Sequence, residues 1–153
     1  MDDIRRMMKM MYRMAQAYTA RAMEGSDLSP TQMQALRTIS FHQNISQQEL
    51  SSHMGIDKAA VARIIPVLEG KGYIVRVADP HDGRIKRLEA TPLGQEVKHE
   101  ILHNETSFYQ RAFLGEAEQD MEVFAKVLGR AFERAAEMRK RGYKSSQTGE
   151  ETP

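Results

Sequence analysis

Residues 46–87 read SQQELSSHMGIDKAAVARIIPVLEGKGYIVRVADPHDGRIKR, and the fold is decided within them. In Ser46-Gln47-Gln48-Glu49 a serine precedes a glutamate by three residues, the reciprocal capping box that opens a helix. That helix carries Leu50 and Met54 on one face and reaches Gly55, a residue type suited to the left-handed C-terminal cap. Asp57 caps a second helix, in which Val61, Ile64, Ile65 and Leu68 recur at inward-facing spacing. Gly70 and Gly72 end it. Tyr73–Val77 is then a run of high β-propensity, and Ile85–Leu88 a second one across a charged tip. Helix, short turn, helix is the arrangement that lays its second helix in a DNA major groove. The hairpin behind it makes a winged version.

Composition sets limits around this centre. With 153 residues the chain suits one domain with extensions. The absence of cysteine removes disulfides, thiol redox switches and thiolate metal sites. No apolar run approaches a membrane span, and Met-Asp-Asp is unlike a signal peptide, so the cytoplasm is expected and no membrane partner. A net charge of +1 does not by itself announce a nucleic-acid partner. The distribution is more telling: Arg76, Arg84, Lys86 and Arg87 gather in the hairpin.

Outward from the centre lie amphipathic helices. Over about 2–24, Ile4, Met7, Met8, Met11, Met14, Ala15, Tyr18 and Ala22 recur at helical intervals, a methionine-rich stripe that packs adaptably. Gly25-Ser26-Asp27 breaks it. Ser29, Pro30 and Gln32 form a second capping box with proline at the first helical position, opening a helix to about His42. Leu36, Ile39 and Phe41 are expected beneath the helix-turn-helix as core, and Ile45 is placed to add one pairing to the hairpin. Thr91-Pro92 caps another helix, carrying Leu93, Val97, Ile101, Leu102, Phe108 and Ala112. After Gly115, the acidic Glu116, Glu118 and Asp120 occupy a first turn. Met121, Phe124, Leu128, Phe132, Ala135 and Met138 form the last stripe, closed by Arg139, Lys140 and Arg141.

The fold class is thus mainly α with a small β-wing: one domain over 1–140, with a DNA-binding lobe at about 30–91 and dimerisation helices at about 2–24 and 92–140. Residues 141–153 lack an apolar period and are expected to be disordered. A compact monomer leaves the long stripes little to pack on, whereas a two-fold homodimer buries them and reads two half-sites. Ile4, Met8, Met11, Phe124, Leu128 and Phe132 are the interface candidates.

The second helix begins Asp57-Lys58-Ala59-Ala60-Val61-Ala62-Arg63, and its first turns enter the groove. Ala59 and Ala60 permit close approach, Lys58 reaches a phosphate or a base, and the Arg63 fork matches guanine O6/N7 or phosphate. Pro66, nine residues into that helix, removes a hydrogen bond to Ala62 and predicts a kink.

At this point the chain resembles the MarR family of bacterial transcriptional regulators. The resemblance rests on Ser46–Arg76, on Asp79-Pro80-His81-Asp82-Gly83-Arg84, and on Leu88-Glu89-Ala90-Thr91-Pro92-Leu93-Gly94. The last two are similar to the family's D-x-R-D-x-R wing and the L-x-x-T-x-x-G that opens its next helix. The resemblance implies a winged-helix homodimer on a palindromic promoter site, usually a repressor released by a small ligand. By position, Asp79 and Asp82 resemble acids that hold the hairpin tip by pairing with its basic residues, and Arg84 the tip arginine of the minor groove, whose negative potential attracts a cation. His81 departs from the pattern by replacing the first wing arginine. An imidazole gains charge on acidification, so DNA affinity is expected to strengthen below about pH 6.5. The candidate DNA contacts are Ser46, Gln47, Lys58, Ala59, Ala60, Arg63, Arg76, His81, Asp82, Arg84 and Lys86.

Relatives often hold aromatic acids or other small organic effectors between the dimer helices and the DNA lobe. Met11, Tyr12, Ala15, Phe41, His42 and His103 are the candidates here, and no other cofactor is expected. His99-Glu100-Ile101-Leu102-His103 is a literal H-E-x-x-H, which on a helix places two imidazoles on one face. It keeps open a metal-responsive regulator using His99 and His103, and more remotely a metallohydrolase with Glu100 as base. No third ligand follows at metzincin spacing. A protein-interaction module is the remaining alternative; the basic wing and small-residue helix start argue against it. Catalysis is not expected.

Overall fold

The computed structural model describes residues 1–83 and 85–142. They form two compact units, Met1–Ala112 and a second from Phe113 onward. The first unit contains α1 (Asp2–Ala22), a 3₁₀ turn (Glu24–Ser26), α2 (Pro30–Phe41), β1 (Ile45–Ser46), α3 (Gln47–Met54), α4 (Lys58–Gly70), β2 (Ile74–Ala78), β3 (Lys86–Ala90) and α5 (Pro92–Ala112). The second contains α6 (Glu118–Lys140).

Local chemistry starts these helices where the sequence places them. Ser29 Oγ accepts from the Gln32 amide at 3.3 Å while Gln32 Oε1 accepts from the Ser29 amide at 2.9 Å. Ser46 and Glu49 repeat the exchange at 3.2 and 2.8 Å. Each box satisfies donors a helix start would otherwise orphan. Asp57 Oδ1 accepts from the Ala60 amide at 2.7 Å to open α4. Gly55, with φ of +66°, turns α3 into α4, and Ser51 Oγ steadies the turn by donating to the Ile56 carbonyl at 2.6 Å.

The sheet is antiparallel in the order β1-β3-β2. Leu88 lies opposite Ile45 on one side and Arg76 on the other. Both hairpin strands begin one residue later than the β-propensity runs suggest. Tyr73 stays outside the ladder because its amide donates to the Leu68 carbonyl at 2.9 Å, while its own carbonyl accepts from the Thr91 amide at 3.0 Å and ties the sheet's end to the start of α5.

The core of the first unit gathers Leu36, Ile39, Leu50, Val61, Ile65, Leu68, Ile74, Leu88 and Ile101, all essentially inaccessible. At about 1.5–3 kcal/mol for each fully buried aliphatic side chain, this cluster dominates the exposed ion pairs around it. Phe41 does not join it, contrary to the sequence expectation, and is 75% exposed. Five residues beyond Leu36, it lies about 140° round the helix from the core-facing direction.

In the second unit, α6 starts at Glu118, so Glu116 precedes the helix rather than occupying its first turn. None of its residues is buried, and Phe124, Leu128 and Phe132 are exposed. Arg141 caps it; the remainder of the expected disordered tail, 143–153, lies outside the described residues.

Candidate nucleic-acid interface

The buried side of α4 is wholly aliphatic: Val61, Ile64, Ile65 and Leu68. Its outer side therefore presents Lys58, Ala59, Ala62, Arg63, Pro66 and Glu69, all exposed. This face is small and cationic at the helix N-terminus, which suits approach to a duplex. Ala60 is half-buried, and Ala62, not singled out in the sequence, occupies the exposed row with Ala59 and Arg63. The helix continues through Pro66. The carbonyl that Pro66 deprives of a partner belongs to exposed Ala62, so water can serve it and part of the usual cost is relieved.

Ser46 and Gln47 sit at the start of α3, and the Ser46 hydroxyl is engaged in the cap. The hairpin is held by Asp79, whose side chain is only 7% exposed. Asp79 Oδ1 accepts from the backbone amides of His81 and Asp82 at 2.8 and 3.1 Å. Its Oδ2 accepts from Arg87 Nε at 2.6 Å. The His81 amide, followed by Arg87, holds the Asp79 carboxyl below the usual aspartate range. Arg87, counted with the basic hairpin from sequence, thus faces inward. Its Nη1 also donates to Glu49 Oε2 at 2.9 Å and to the Asn44 carbonyl at 3.4 Å. Hydrogen bonding with Ser46, then the Arg87 charge, keeps the Glu49 carboxyl low as well.

Arg76 pairs with Glu69 at 3.3 Å, joining β2 to the end of α4 and partly neutralising one expected DNA contact. His81, Asp82 and Lys86 are exposed on the hairpin. Arg84 lies outside the described residues. The role of Asp79 is the one the wing resemblance implies; the Arg87–Glu49 bond and the Arg76–Glu69 pair, which join separate elements, have no sequence signature.

Behind this face, Gln34, Arg37, Thr38, Phe41, His42, His53 and Leu102 line an open cleft of about 390 Å³, a size suited to a small organic molecule. The His42 and His53 rings stack at 4.3 Å. Arg37 Nη1 bonds both Glu105 oxygens at 2.6 and 2.7 Å. Phe41 and His42 are thereby brought together, whereas Met11, Tyr12, Ala15 and His103 do not line this cleft. Ala15 is buried, and Tyr12 is exposed with its hydroxyl bonded to Gln16. On α1, Ile4 and Met8 are exposed and Met11 half-buried. His99, Glu100 and His103 are exposed on α5, and among the described residues no three His, Asp or Glu side chains converge on a metal position. Also among these, no helix is long and apolar enough to cross a membrane.

Comparison with known proteins agrees with this geometry. The model of the MarR family matches residues 28–86. An HTH-type transcriptional regulator of Bacillus cereus (strain ATCC 10987 / NRS 248) is 30% identical over 66% of this chain and 70% of its own length. Matches to two other regulators span only 43% and 63% of those proteins. The crystal structure of MarR superposes with a TM-score of 0.80 at 28% identity, covering 90% of this chain and 93% of that one. A MarR-family regulator from Listeria monocytogenes, solved with a 26mer DNA, gives a TM-score of 0.74 at 25% identity, covering 95% and 99%.

Proposed function

The chain belongs to the MarR family of transcriptional regulators, and from that premise we propose that it binds a palindromic promoter site as a homodimeric repressor released by a small organic effector. The observation that carries this reading is the outer face of α4. Its small and cationic residues, Lys58, Ala59, Ala62 and Arg63, stand exposed on a helix whose opposite side is fully packed. The α4 N-terminal turns enter the major groove and the β2–β3 hairpin lies along the adjacent minor groove. Regulation, not catalysis, is the chemistry such a surface performs.

Dimerisation is supported by α6, a helix of 23 residues with an apolar stripe and no buried position, and by the exposed Ile4, Met7 and Met8 of α1. A second copy is the partner that would cover both. The effector reading is supported by the cleft itself, where a planar organic molecule would find the exposed Phe41 ring and stacked imidazoles, the Arg37 guanidinium there being already paired with Glu105. Such a regulator works in the cytoplasm, with the DNA.

Fluorescence anisotropy with duplex from upstream of the gene, beside a scrambled duplex, tests the DNA reading. Preferential binding whose log affinity falls linearly with log salt is expected. Equal affinity for both duplexes across the salt series would count against a specific regulator.

A further inference from the structure

The chain contains two capping boxes that differ in one informative way. At the start of α2 the reciprocal acceptor is Gln32; at the start of α3 it is Glu49. Glutamine closes the first box at 2.9 Å, so the cap itself does not require a carboxylate. Glu49 Oε2 has a second duty: it accepts from the Ser46 amide at 2.8 Å and from Arg87 Nη1 at 2.9 Å. Arg87 in turn grips Asp79, which holds the amides of His81 and Asp82 at the hairpin tip. A continuous series of charge-assisted hydrogen bonds therefore runs from the first turn of the helix-turn-helix to the tip of the wing.

We propose that Glu49 is a positioning residue for DNA binding, fixing the wing relative to the helix-turn-helix through Arg87, so that both meet the duplex in one geometry. The proposal rests on the DNA-binding reading above. Its consequence runs against simple electrostatics. Glu49 is half exposed at the start of the DNA-facing motif, where a carboxylate repels phosphate. Removing that charge should strengthen binding if repulsion were its main effect. As a positioning residue, its removal weakens binding, because wing and helix must then be ordered separately on the DNA.

The experiment uses the full chain carrying Glu49→Gln, which retains the cap in the manner of Gln32. Amide exchange at His81 and Asp82 is read without DNA, and affinity is read by anisotropy with a duplex that the wild type binds. The tie predicts faster exchange at both amides and about a five- to tenfold loss of affinity. A double-mutant cycle with Arg87→Gln should show coupling, the second substitution costing less once the first is present. It also separates the tie from any general loss of stability, which would make the two effects add. Unchanged exchange, unchanged or improved affinity, or simple additivity each overturn the proposal while leaving wild-type DNA binding intact. A wild type that binds no duplex overturns the DNA-binding reading instead, and the proposal with it.

Discussion

Arg87 Nε lies 2.6 Å from Asp79 Oδ2, closing the β2–β3 hairpin from within, while the other Asp79 oxygen holds the backbone of the tip. The Asp79 carboxyl sits below its ordinary value of 3.8, first through the His81 amide and then through Arg87. A group with a depressed folded pKa contributes stability that is complete above its unfolded value and lost as pH falls through the folded one. The hairpin is therefore predicted to keep its order on acidification until below the ordinary aspartate value. Amide chemical shifts of His81 and Asp82 followed through an acid titration check this. In Asp79→Asn that acid transition should vanish, and both amides should exchange faster already at neutral pH.

Gly94 is packed against backbone. A Cβ added there would overlap the Tyr73 carbonyl oxygen, which cannot retreat because it also accepts from the Thr91 amide. Thr91 Oγ1 completes the joint, donating to the Gly72 carbonyl at 2.6 Å and accepting from the Gly94 amide at 3.0 Å. Gly94→Ala should cost about 2–3 kcal/mol, at the upper end for overpacking, because the obstacle is main chain. Urea unfolding measures it; a loss below about 0.5 kcal/mol, the level of an ordinary surface change, would contradict this packing.

Pro66 lies on the exposed face of α4, one turn beyond Ala62 and three residues beyond Arg63. Replacing it with alanine restores an amide donor to the Ala62 carbonyl and should stabilise the protein by about 1 kcal/mol, less than the full interior penalty because that carbonyl is open to water. If Pro66 also sets the aim of the DNA-facing turns, Pro66→Ala lowers duplex affinity despite the gain in stability. Thermal unfolding and anisotropy on the same variant separate the two effects.

These sites differ in how far the sequence reveals them. The boxes at Ser29–Gln32 and Ser46–Glu49, the Asp57 cap and the Gly55 turn are chemistry among residues three or four apart, which a linear sequence displays directly. The aliphatic side of α4 follows from period alone. Phe41 is exposed where the sequence predicts core, because apolar character near a helix end does not say which way the last residue points. The inward role of Arg87 is invisible in the sequence, where it is one of four hairpin cations, because its partners Asp79 and Glu49 lie 8 and 38 residues away and meet it only in the folded sheet. Arg76 and Glu69 became a pair for the same reason.

His81 is exposed on the hairpin, with its backbone amide engaged by Asp79. Its side chain can therefore be replaced without removing that bond. His81→Arg, which places a guanidinium on the exposed hairpin, should bind duplex more tightly and steepen the salt dependence. Anisotropy titrations across a salt series decide it; identical affinities and salt slopes for the two proteins would remove His81 from the interface.

The proposed two-fold assembly is tested most directly by a hydroxyl-radical footprint of the full chain on a duplex it prefers. Two protected half-sites are predicted, with centres about 10 base pairs or a small multiple of that apart. Arg63→Ala should weaken both equally, since in the proposed homodimer each copy would present the same α4. A single protected half-site at saturating protein, or a footprint indifferent to Arg63→Ala, would contradict it.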